Sequence, residues 1–370
     1  MKPSVLLALL ALLALLALLA LPACGGSSSA PDPDSSSGDA RTTRPLAIAA
    51  VVDLGRFPLP PKGVGRDGGM SGVLGGKLLW SFGDTFLTER TTIDNSTVLS
   101  ATSGWSTIAA PLELTHNMSG AQPAQLIPYT PAEISANTAD ALNGYALWPG
   151  SLLDVGDATG VIAFQQIQRT NGSGFASIGV GTARIIVDAA SSSRAPALLF
   201  VPPEPLYVPH VVLEDFAYAF DCENRGFLDF ACKLGRAPRA QVEVRAAYEF
   251  FDGTAWTADI ARAAFVIDKT SVAPSISYNA HLGKYLAVAC KVLSSTVLLR
   301  TADRIEGPWG EPTEIAAGTE GVLAPPHADQ YNYLCVEHAA LATEDSIVIG
   351  YSRPTEPFQG DVRLARITLR

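Results

Sequence analysis

The stretch that decides the fold is SISYNAHLGKYLAVAC at residues 275–290, followed by TVLLRTADRIEGPWG at residues 296–310. Short apolar or β-branched runs alternate here with turn residues such as Gly283, which is typical of β-strands. The pattern is a strand, a turn, two further strands and a polar link that ends in Gly-Pro-Trp. It predicts most of one four-stranded blade of a β-propeller.

A second blade-like unit is EHAALATEDSIVIGYSRP at residues 337–354, which predicts two strands around a Glu-Asp turn. Long amphipathic helices are nearly absent, and residues 204–219 are mixed enough to suggest an irregular insertion. No linker-like break occurs between Leu46 and Arg370, so we predict one all-β domain over 46–370. Strict repeats are not visible, and the number of blades therefore does not follow from periodicity. Other predicted strands are Lys77–Phe82, Val161–Gln168, Ala183–Val187, Lys284–Ala289, Thr296–Arg300 and Ser346–Tyr351.

The net charge and the lack of certain motifs argue against some classes of function. The formal net charge is -10, from 26 basic and 36 acidic residues, which argues against nonspecific binding to nucleic acid. Ser71 lacks the strand-to-helix context of a nucleophile elbow, and the glycines at 172 and 174 form no phosphate loop. We therefore predict no cofactor, no nucleic-acid partner and a monomer.

The N-terminus predicts export. Lys2 supplies a positive charge, and Val5–Leu21 is an apolar run almost entirely of Leu and Ala, short for a membrane span. The following LPACG at residues 21–25 resembles the lipobox of bacterial lipoproteins, in which the Cys is acylated and the chain is cut just before it. This resemblance implies a signal peptide over 1–23 and lipidation of Cys24; an ordinary secretory signal with an incidental Cys is the alternative.

Residues 24–45 contain almost nothing apolar, so we predict a disordered linker rich in Gly, Ser, Pro and Asp. Such a tether would hold a domain away from the membrane. Gly25, rather than Asp, follows the Cys, and by resemblance to Gram-negative sorting rules this favours the outer membrane. The expected location is the cell envelope, with the N-terminal lipid as the only contact with the membrane.

Four Cys remain in the predicted mature chain: Cys222, Cys232, Cys290 and Cys335. An even number in an exported chain fits two disulfides. Cys222 and Cys232 would close a small loop, and Cys290 and Cys335 would then join distant segments. A zinc site is the rival interpretation, but no C-x-x-C or H-x-x-x-H spacing occurs, so we predict no metal.

Two motifs carry a family resemblance: GRDGGMSG at residues 65–72 and GGKLLWSFGDTF at residues 75–86. Together they resemble the opening of a bacterial family of domains of unknown function, and the similarity extends over about Leu46–Arg370. Some members of that family are endo-D-arabinanases, which cut mycobacterial cell-wall arabinan. The resemblance implies a five-bladed β-propeller of the arabinanase/xylosidase type.

The candidate catalytic residues are Asp67 and Asp84. Glycoside cleavage needs two carboxyl groups, one protonated and one ionised, on either side of the scissile bond. Each Asp lies beside small residues that leave space for a ligand, and a hairpin would place both at one mouth of the propeller. The resemblance implies the same catalytic pair. The alternative is that both are turn residues that bond to their own backbone.

A second group of residues is expected to bind substrate. Trp148 has a ring that matches the C–H face of a sugar, although a buried Trp would look the same in sequence. A propeller's last blade packs beside its first, so we expect Glu337 at the same mouth, or else at a surface strand end. His338, Asn279 and His281 are further candidates, and turn polarity explains the last two equally well. Glu214 and Asp215 are reserve candidates in an irregular region.

The sequence thus favours an envelope lipoprotein with a glycoside-hydrolase-like propeller that hydrolyses or binds a furanoside-rich glycan such as an arabinan. The alternative is a non-catalytic glycan-binding or scaffold lipoprotein, because propellers host many functions. The expected partner in either case is a polysaccharide or cell-wall glycan.

Overall fold

The computed structural model describes residues 46–171, 174–271, 274–316, 323–324, 330–356 and 359–370. The predicted signal peptide, Cys24 and the linker over 24–45 lie outside these residues. In the described part of the chain, no helix has the length and apolar character that a membrane crossing requires.

Five sheets form the blades of a propeller. Blade 1 orders β2-β3-β4-β5, blade 2 orders β8-β9-β10-β11, and a two-stranded sheet of β6 and β7 lies between them in the chain. Their bounds are β2 Gly63–Leu74, β3 Lys77–Leu87, β4 Val98–Thr107, β5 Thr115–His116, β6 Met118–Ser119, β7 Gln122–Pro123, β8 Tyr145–Gly156, β9 Thr159–Thr170, β10 Gly174–Ile186 and β11 Ser193–Arg194.

Blade 3 is the largest, with the order β12-β13-β14-β15-β16 and with β17 also paired to β14; blade 4 orders β18-β19-β20-β21. Their bounds are β12 Val208–Leu213, β13 Phe216–Gly226, β14 Asp229–Pro238, β15 Glu249–Phe251, β16 Trp256–Thr257, β17 Phe265–Ile267, β18 Ser275–Asn279, β19 Lys284–Cys290, β20 Val297–Ala302 and β21 Thr313–Ile315.

Blade 5 closes the ring. It consists of β22 (Tyr333–Glu337), β23 (Ser346–Glu356), β24 (Gln359–Leu369) and, as its outermost strand, the first strand of the fold, β1 (Ile48–Arg56). The antiparallel pairing of β1 with β24 joins the two ends of the domain. The predicted all-β, five-bladed propeller is confirmed.

Within the described residues, helices are few and short. The α-helix α1 (Pro131–Ala139) begins with a capping box in which Thr130 and Glu133 each bond to the other's backbone N–H. The 3₁₀ helices are Arg239–Gln241, Arg245–Ala247, Ile260–Arg262 and Ala339–Leu341.

A hydrophobic core lies between each pair of neighbouring blades. Examples of buried residues in these cores are Leu147 between blades 1 and 2, Phe200 between blades 2 and 3, and Ile276 between blades 3 and 4. Val288 lies in the core between blades 4 and 5, and Trp80 in the core between blades 5 and 1. The stabilising apolar burial is therefore distributed around the ring.

The innermost strands β2, β8, β12, β18 and β22 run in the same direction. For β2 and β22 the contacts show this direction. Gly68 bonds to Ser352, which is opposite Tyr333 near the start of β22, whereas Ser71, further along β2, bonds to His338 just after the end of β22. We call the face where these strands begin the upper face and the face where they end the lower face. This direction decides which side chains can meet.

Both predicted disulfides are present. Cys222 and Cys232 are directly opposed in the β13–β14 hairpin, with Cα atoms 4.0 Å apart. Cys290 at the end of β19 is bonded to Cys335 in β22, with Cα atoms 4.9 Å apart, so the second bond joins blades 4 and 5.

Two local expectations were wrong. Residues 204–219 are not an irregular insertion, because they include β12 and the start of β13, which form a regular antiparallel pair. Glu337 ends a strand rather than opening one: a turn and the 3₁₀ helix Ala339–Leu341 follow it before β23 begins. In both places polar residues interrupt the apolar sequence pattern, although the strands there are still paired through their backbones.

Candidate functional site

Glycines determine the position of Asp67 on β2. The pairing of β2 with β3 shifts register on both sides of Gly68, which has a φ of 76°. Bulges of this kind change the direction in which a side chain points. A Cβ added to Gly83 would lie 2.7 Å from the Asp67 Oδ1 atom. Only glycine at 83 therefore lets the Asp67 carboxyl lie against the backbone of β3.

The Asp67 carboxyl lies beside Asp84. Its Oδ1 accepts a 2.7 Å hydrogen bond from the backbone N–H of Asp84, and its Oδ2 accepts a 3.1 Å bond from the Tyr333 hydroxyl. Burial, together with the negative charge of Asp84, raises the pKa of Asp67 to about 7, against the effect of these hydrogen bonds and of Arg169. A large fraction of Asp67 is therefore protonated at neutral pH.

The Asp84 carboxylate is paired with Arg169 of blade 2. The Arg169 Nη2 atom donates to both Asp84 oxygens at 3.0 Å, and Nη1 donates to the Tyr145 carbonyl at 2.8 Å. Both side chains of the ion pair are mostly buried. Because the guanidinium is fixed by its bond to β8, it holds a positive charge against the Asp84 carboxyl.

Asp67 and Asp84 are thus two neighbouring acids in different environments at the upper face. The pKa of Asp67 is raised by burial and by the charge of Asp84, and Asp84 forms an ion pair with Arg169. This is the division that acid–base chemistry on a glycosidic bond requires.

Trp148 lies in the first half of β8, near the upper face. Its half-buried ring packs edge-on against Phe175 of β10, with the ring centroids 4.8 Å apart. Phe175 is opposite Arg169 in the register of β9 and β10. Trp148 therefore belongs to the same blade and the same end of the blade as the Arg169 side chain.

The structure does not bring Glu337 to the upper face. Glu337 is four residues beyond Tyr333 in β22, about 13 Å along an extended strand. Its carboxyl Oε2 accepts a short hydrogen bond from Ser277 Oγ, and its backbone N–H donates to Ser275 Oγ at 2.6 Å. Burial raises the pKa of Glu337 to about 7, and the Ser277 bond opposes this shift.

Asn279 and His281 accompany Glu337 at the lower face. All three line one cavity of about 450 Å³. The buried Asn279 Oδ1 accepts a 2.9 Å bond from the backbone N–H of Leu282, which stabilises the β18–β19 turn. His281 is exposed on that turn. The predicted substrate-binding residues therefore divide between two opposite faces.

His338 follows Glu337 and is buried against blade 1. Its Nδ1 is 2.8 Å from Ser71 Oγ, and its ring packs against Trp80 with a centroid distance of 4.6 Å. Burial lowers its pKa to about 3, so the imidazole is neutral. The reserve candidates Glu214 and Asp215 are exposed in the turn between β12 and β13, also at the lower face.

Sequence reasoning missed Arg169 and Tyr333, which contact the two acids. Both are far from them in the chain: Arg169 is 85 residues from Asp84, and Tyr333 is 266 residues from Asp67. Neither lies in a motif that marks it. Within the described residues, no group of three or more His, Cys, Asp or Glu side chains is placed to hold a metal ion.

One family model matches the C-terminal part of the chain. Residues 212–367 match DUF4185, a domain of unknown function. The DUF4185 match begins near the end of β12 and includes β13 to β23 and most of β24, but not β1, the outermost strand of blade 5. It leaves out Asp67, Asp84 and Arg169, which lie in blades 1 and 2. No curated protein matches the chain.

Solved structures share the fold at low identity. The chain is similar to an exo-β-1,3-galactanase from Phanerochaete chrysosporium bound to β-1,3-galactotriose, with 12% identity and a TM-score of 0.51 over 85% of this chain. It spans 63% of that enzyme's length. An α-L-arabinofuranosidase from Podospora anserina in complex with cellotriose is 11% identical, with a TM-score of 0.48 over 85% of this chain and 96% of the other.

A family 117 glycoside hydrolase from Zobellia galactanivorans is 10% identical, with a TM-score of 0.48 over 88% of this chain and 90% of the other. At these identities, the comparison with the galactanase shows a glycoside-hydrolase-like propeller fold. The chemistry of this chain has to be argued from its own residues.

Proposed function

We propose that this protein is a glycoside hydrolase of the cell envelope that acts on a furanoside-rich glycan, such as an arabinan, at Asp67 and Asp84. The observation that carries the proposal is the contrast between the two carboxyls: Asp67 has a pKa of about 7, and Asp84 is ion-paired with Arg169. Asp67 is the proton donor and Asp84 is the anion.

The reaction follows from these states. Asp67 transfers its proton to the glycosidic oxygen as the bond from that oxygen to the anomeric carbon breaks, and the leaving sugar departs as an alcohol. Asp84 either forms a bond to the anomeric carbon or removes a proton from the water that does so. Tyr333 positions Asp67, and Arg169 positions Asp84. The rings of Trp148 and Phe175 provide an apolar wall for a sugar.

One observation favours a second candidate, a non-catalytic glycan-binding protein. The same Arg169 Nη2 atom contacts both oxygens of Asp84, so neither oxygen is free of a partner. An Asp84 that kept this pairing when a glycan bound would not attack or activate water. The protein would then bind the glycan without cleaving it.

The test is an assay of the purified protein against arabinans, galactans and xylans, with release of reducing ends as the measurement. The proposal predicts cleavage of an arabinan that is lost in Asp67→Asn and kept in Asp188→Asn. Asp188 is a matched control because it forms an exposed ion pair with Lys77 and has a φ of 63°, which Asn tolerates. Binding without cleavage of any of these glycans would favour the second candidate.

Envelope anchoring is the remaining part of the proposal, and it rests on the lipobox at Cys24 and on the polar tether that follows. Two or three acyl chains on one residue anchor a protein stably. We expect Cys24→Ser to abolish incorporation of a fatty-acid analogue and to move the protein out of the membrane fraction. Equal labelling of the wild type and the variant would contradict anchoring at Cys24.

A further inference from the structure

We propose that the lower-face cavity is a second binding site, separate from Asp67 and Asp84, for a neutral polyhydroxylated molecule such as a single sugar residue. The cavity has a volume of about 450 Å³, within the usual range for small-molecule sites. It lies where the inner strands β18 and β22 end. Glu337 and Asn279 lie at its inner part, and Tyr278, His281 and Glu344 at its exposed rim.

Glu337 provides the first reason. It is only 8% exposed, and its Oε1 atom has no hydrogen-bond partner among the described residues, while Oε2 is engaged by Ser277. A buried polar atom without a hydrogen-bond partner lowers the stability of the folded protein by about 1–3 kcal/mol. A ligand that bonds to this oxygen would remove that cost, so Glu337 favours occupancy of the cavity.

The charge state of Glu337 indicates the class of ligand. Burial raises its pKa to about 7, so much of it is neutral near neutral pH. A neutral carboxyl both donates and accepts hydrogen bonds, as does a sugar hydroxyl. A hydroxylated, uncharged ligand therefore matches Glu337 in both directions.

Tyr278 provides an apolar surface at the rim. Its side chain is 47% exposed, and its ring is held by an edge-on contact with Tyr285, with the centroids 5.3 Å apart. A fixed ring with an open face loses little entropy when a ligand packs on it. The ring and the buried carboxyl together present one apolar and one polar surface, as the two sides of a sugar ring require.

A metal ion fits the cavity less well. Calcium takes about six to eight oxygen ligands at about 2.3–2.6 Å, whereas the cavity is lined by two carboxyl groups, Glu337 and Glu344. An organic ammonium ion would require Glu337 to be ionised in its buried position. Both ligands remain outcomes of the test.

The test is calorimetric titration of the full-length Asp67→Asn protein, in which the proposed catalytic acid is removed, with arabinotriose, galactotriose and xylotriose. We expect at least one trisaccharide to bind at the lower face. Tyr278→Ala should weaken that binding by about tenfold or more, as for removal of a central contact residue. Trp148→Ala should weaken only binding at the upper face and leave the binding that is sensitive to Tyr278→Ala unchanged. Phe227→Ala is the control, because Phe227 is 86% exposed on the β13–β14 turn and away from the cavity.

Glu337 gives a paired test of the same proposal. Glu337→Gln keeps a neutral donor and acceptor and should bind within about threefold of the parent. Glu337→Leu has neither group and should lose binding by about tenfold or more. Failure of all three trisaccharides to bind at millimolar concentration, binding insensitive to Tyr278→Ala, or binding of only calcium or methylammonium would overturn the proposal. None of these results depends on whether Asp67 and Asp84 are catalytic.

Discussion

Asp67 at the upper face and Glu337 at the lower face have the same raised pKa of about 7, but for partly different reasons. Burial is the main cause for both. Asp67 also has a second carboxyl beside it, and Asp84 both raises its pKa and donates a backbone hydrogen bond to it. No neighbouring charge adds to the shift of Glu337, which has Ser277 as its partner.

The comparison teaches that a perturbed pKa alone does not identify a catalytic acid. Hydrolysis needs a proton donor and an anion at the same bond. The upper face has both, because Arg169 pairs with Asp84 next to Asp67. The lower face offers a neutral carboxyl, an aromatic ring and a cavity, which suit binding rather than cleavage.

The largest expected effect is the loss of activity in Asp67→Asn and Asp84→Asn. Each substitution preserves size and most hydrogen bonding, so folding should survive, and the rate of glycan cleavage should fall by about 100- to 10,000-fold. The double variant should be little worse than either single variant, because both residues serve one bond cleavage. Rate, melting temperature and glycan affinity are measured for each.

Glu337→Gln is the matched variant from the other face. We expect its cleavage rate to stay within about threefold of the wild type, because Glu337 is about 13 Å along the strand from Tyr333. A loss as large as that of Asp67→Asn would mean that the two faces act in one reaction. The comparison between them would then fail.

The next effect concerns Arg169, which sequence reasoning did not find. Arg169→Gln should reduce kcat by about 10- to 100-fold, because a displacement of about 1 Å in a reacting group costs up to that much. Arg169→Lys keeps the charge and should recover part of the rate. Arg184→Gln is the control, since Arg184 is in the same blade but forms an exposed ion pair with Glu243. Equal rates in Arg169→Gln and Arg184→Gln would show that Asp84 needs no cation.

The two disulfides are expected to stabilise the folded protein by different amounts. The loop closed by Cys290 and Cys335 spans 45 residues and the loop closed by Cys222 and Cys232 spans 10. The loss of chain entropy in the unfolded state then predicts a stabilisation of about 4 kcal/mol for the longer loop and about 3 kcal/mol for the shorter one. Replacing both Cys of the longer loop by Ser should therefore lower the free energy of unfolding more. Denaturant titration measures both, and the reverse order would exclude loop length as the cause.

The last effect is the pH dependence of stability. Asp67 and Glu337 bind a proton more tightly when folded than when unfolded, since their pKa values rise from 3.8 and 4.5 to about 7. Their contribution to stability is complete below about pH 4 and is lost as the pH rises to about 7. Asp67→Asn and Glu337→Gln should each flatten this decline in urea titrations, and Asp188→Asn should not. An unchanged slope in both would contradict the raised pKa values.

The blades were predictable from sequence because each is local, whereas the number of five came only from the family resemblance. Residues 275–310 form β18, β19 and β20 as the alternation of apolar runs and turns indicates, and Gly75-Gly76 joins β2 to β3 with a positive φ at both residues. The pairing of Cys222 with Cys232 follows from the same short-range logic. Asp67 and Asp84 meet because they are on neighbouring strands of one hairpin.

The remaining parts of the site depend on long-range geometry. No local pattern shows that Arg169 reaches Asp84 from the next blade, or that Tyr333 reaches Asp67 across the closure of the ring. The sequence also does not show how far along an inner strand, and hence at which face, a residue lies. Glu337 and Tyr333 are four residues apart in β22, and that interval separates the two faces.

The most direct test of the central claim is the structure of Asp84→Asn in complex with an arabinan oligosaccharide that the wild type cleaves. The account predicts that the oligosaccharide lies at the upper face, with its scissile glycosidic oxygen within hydrogen-bond distance of the Asp67 carboxyl and next to residue 84. An uncleaved oligosaccharide bound only in the cavity at Glu337, with Asp67 contacting no sugar, would contradict it.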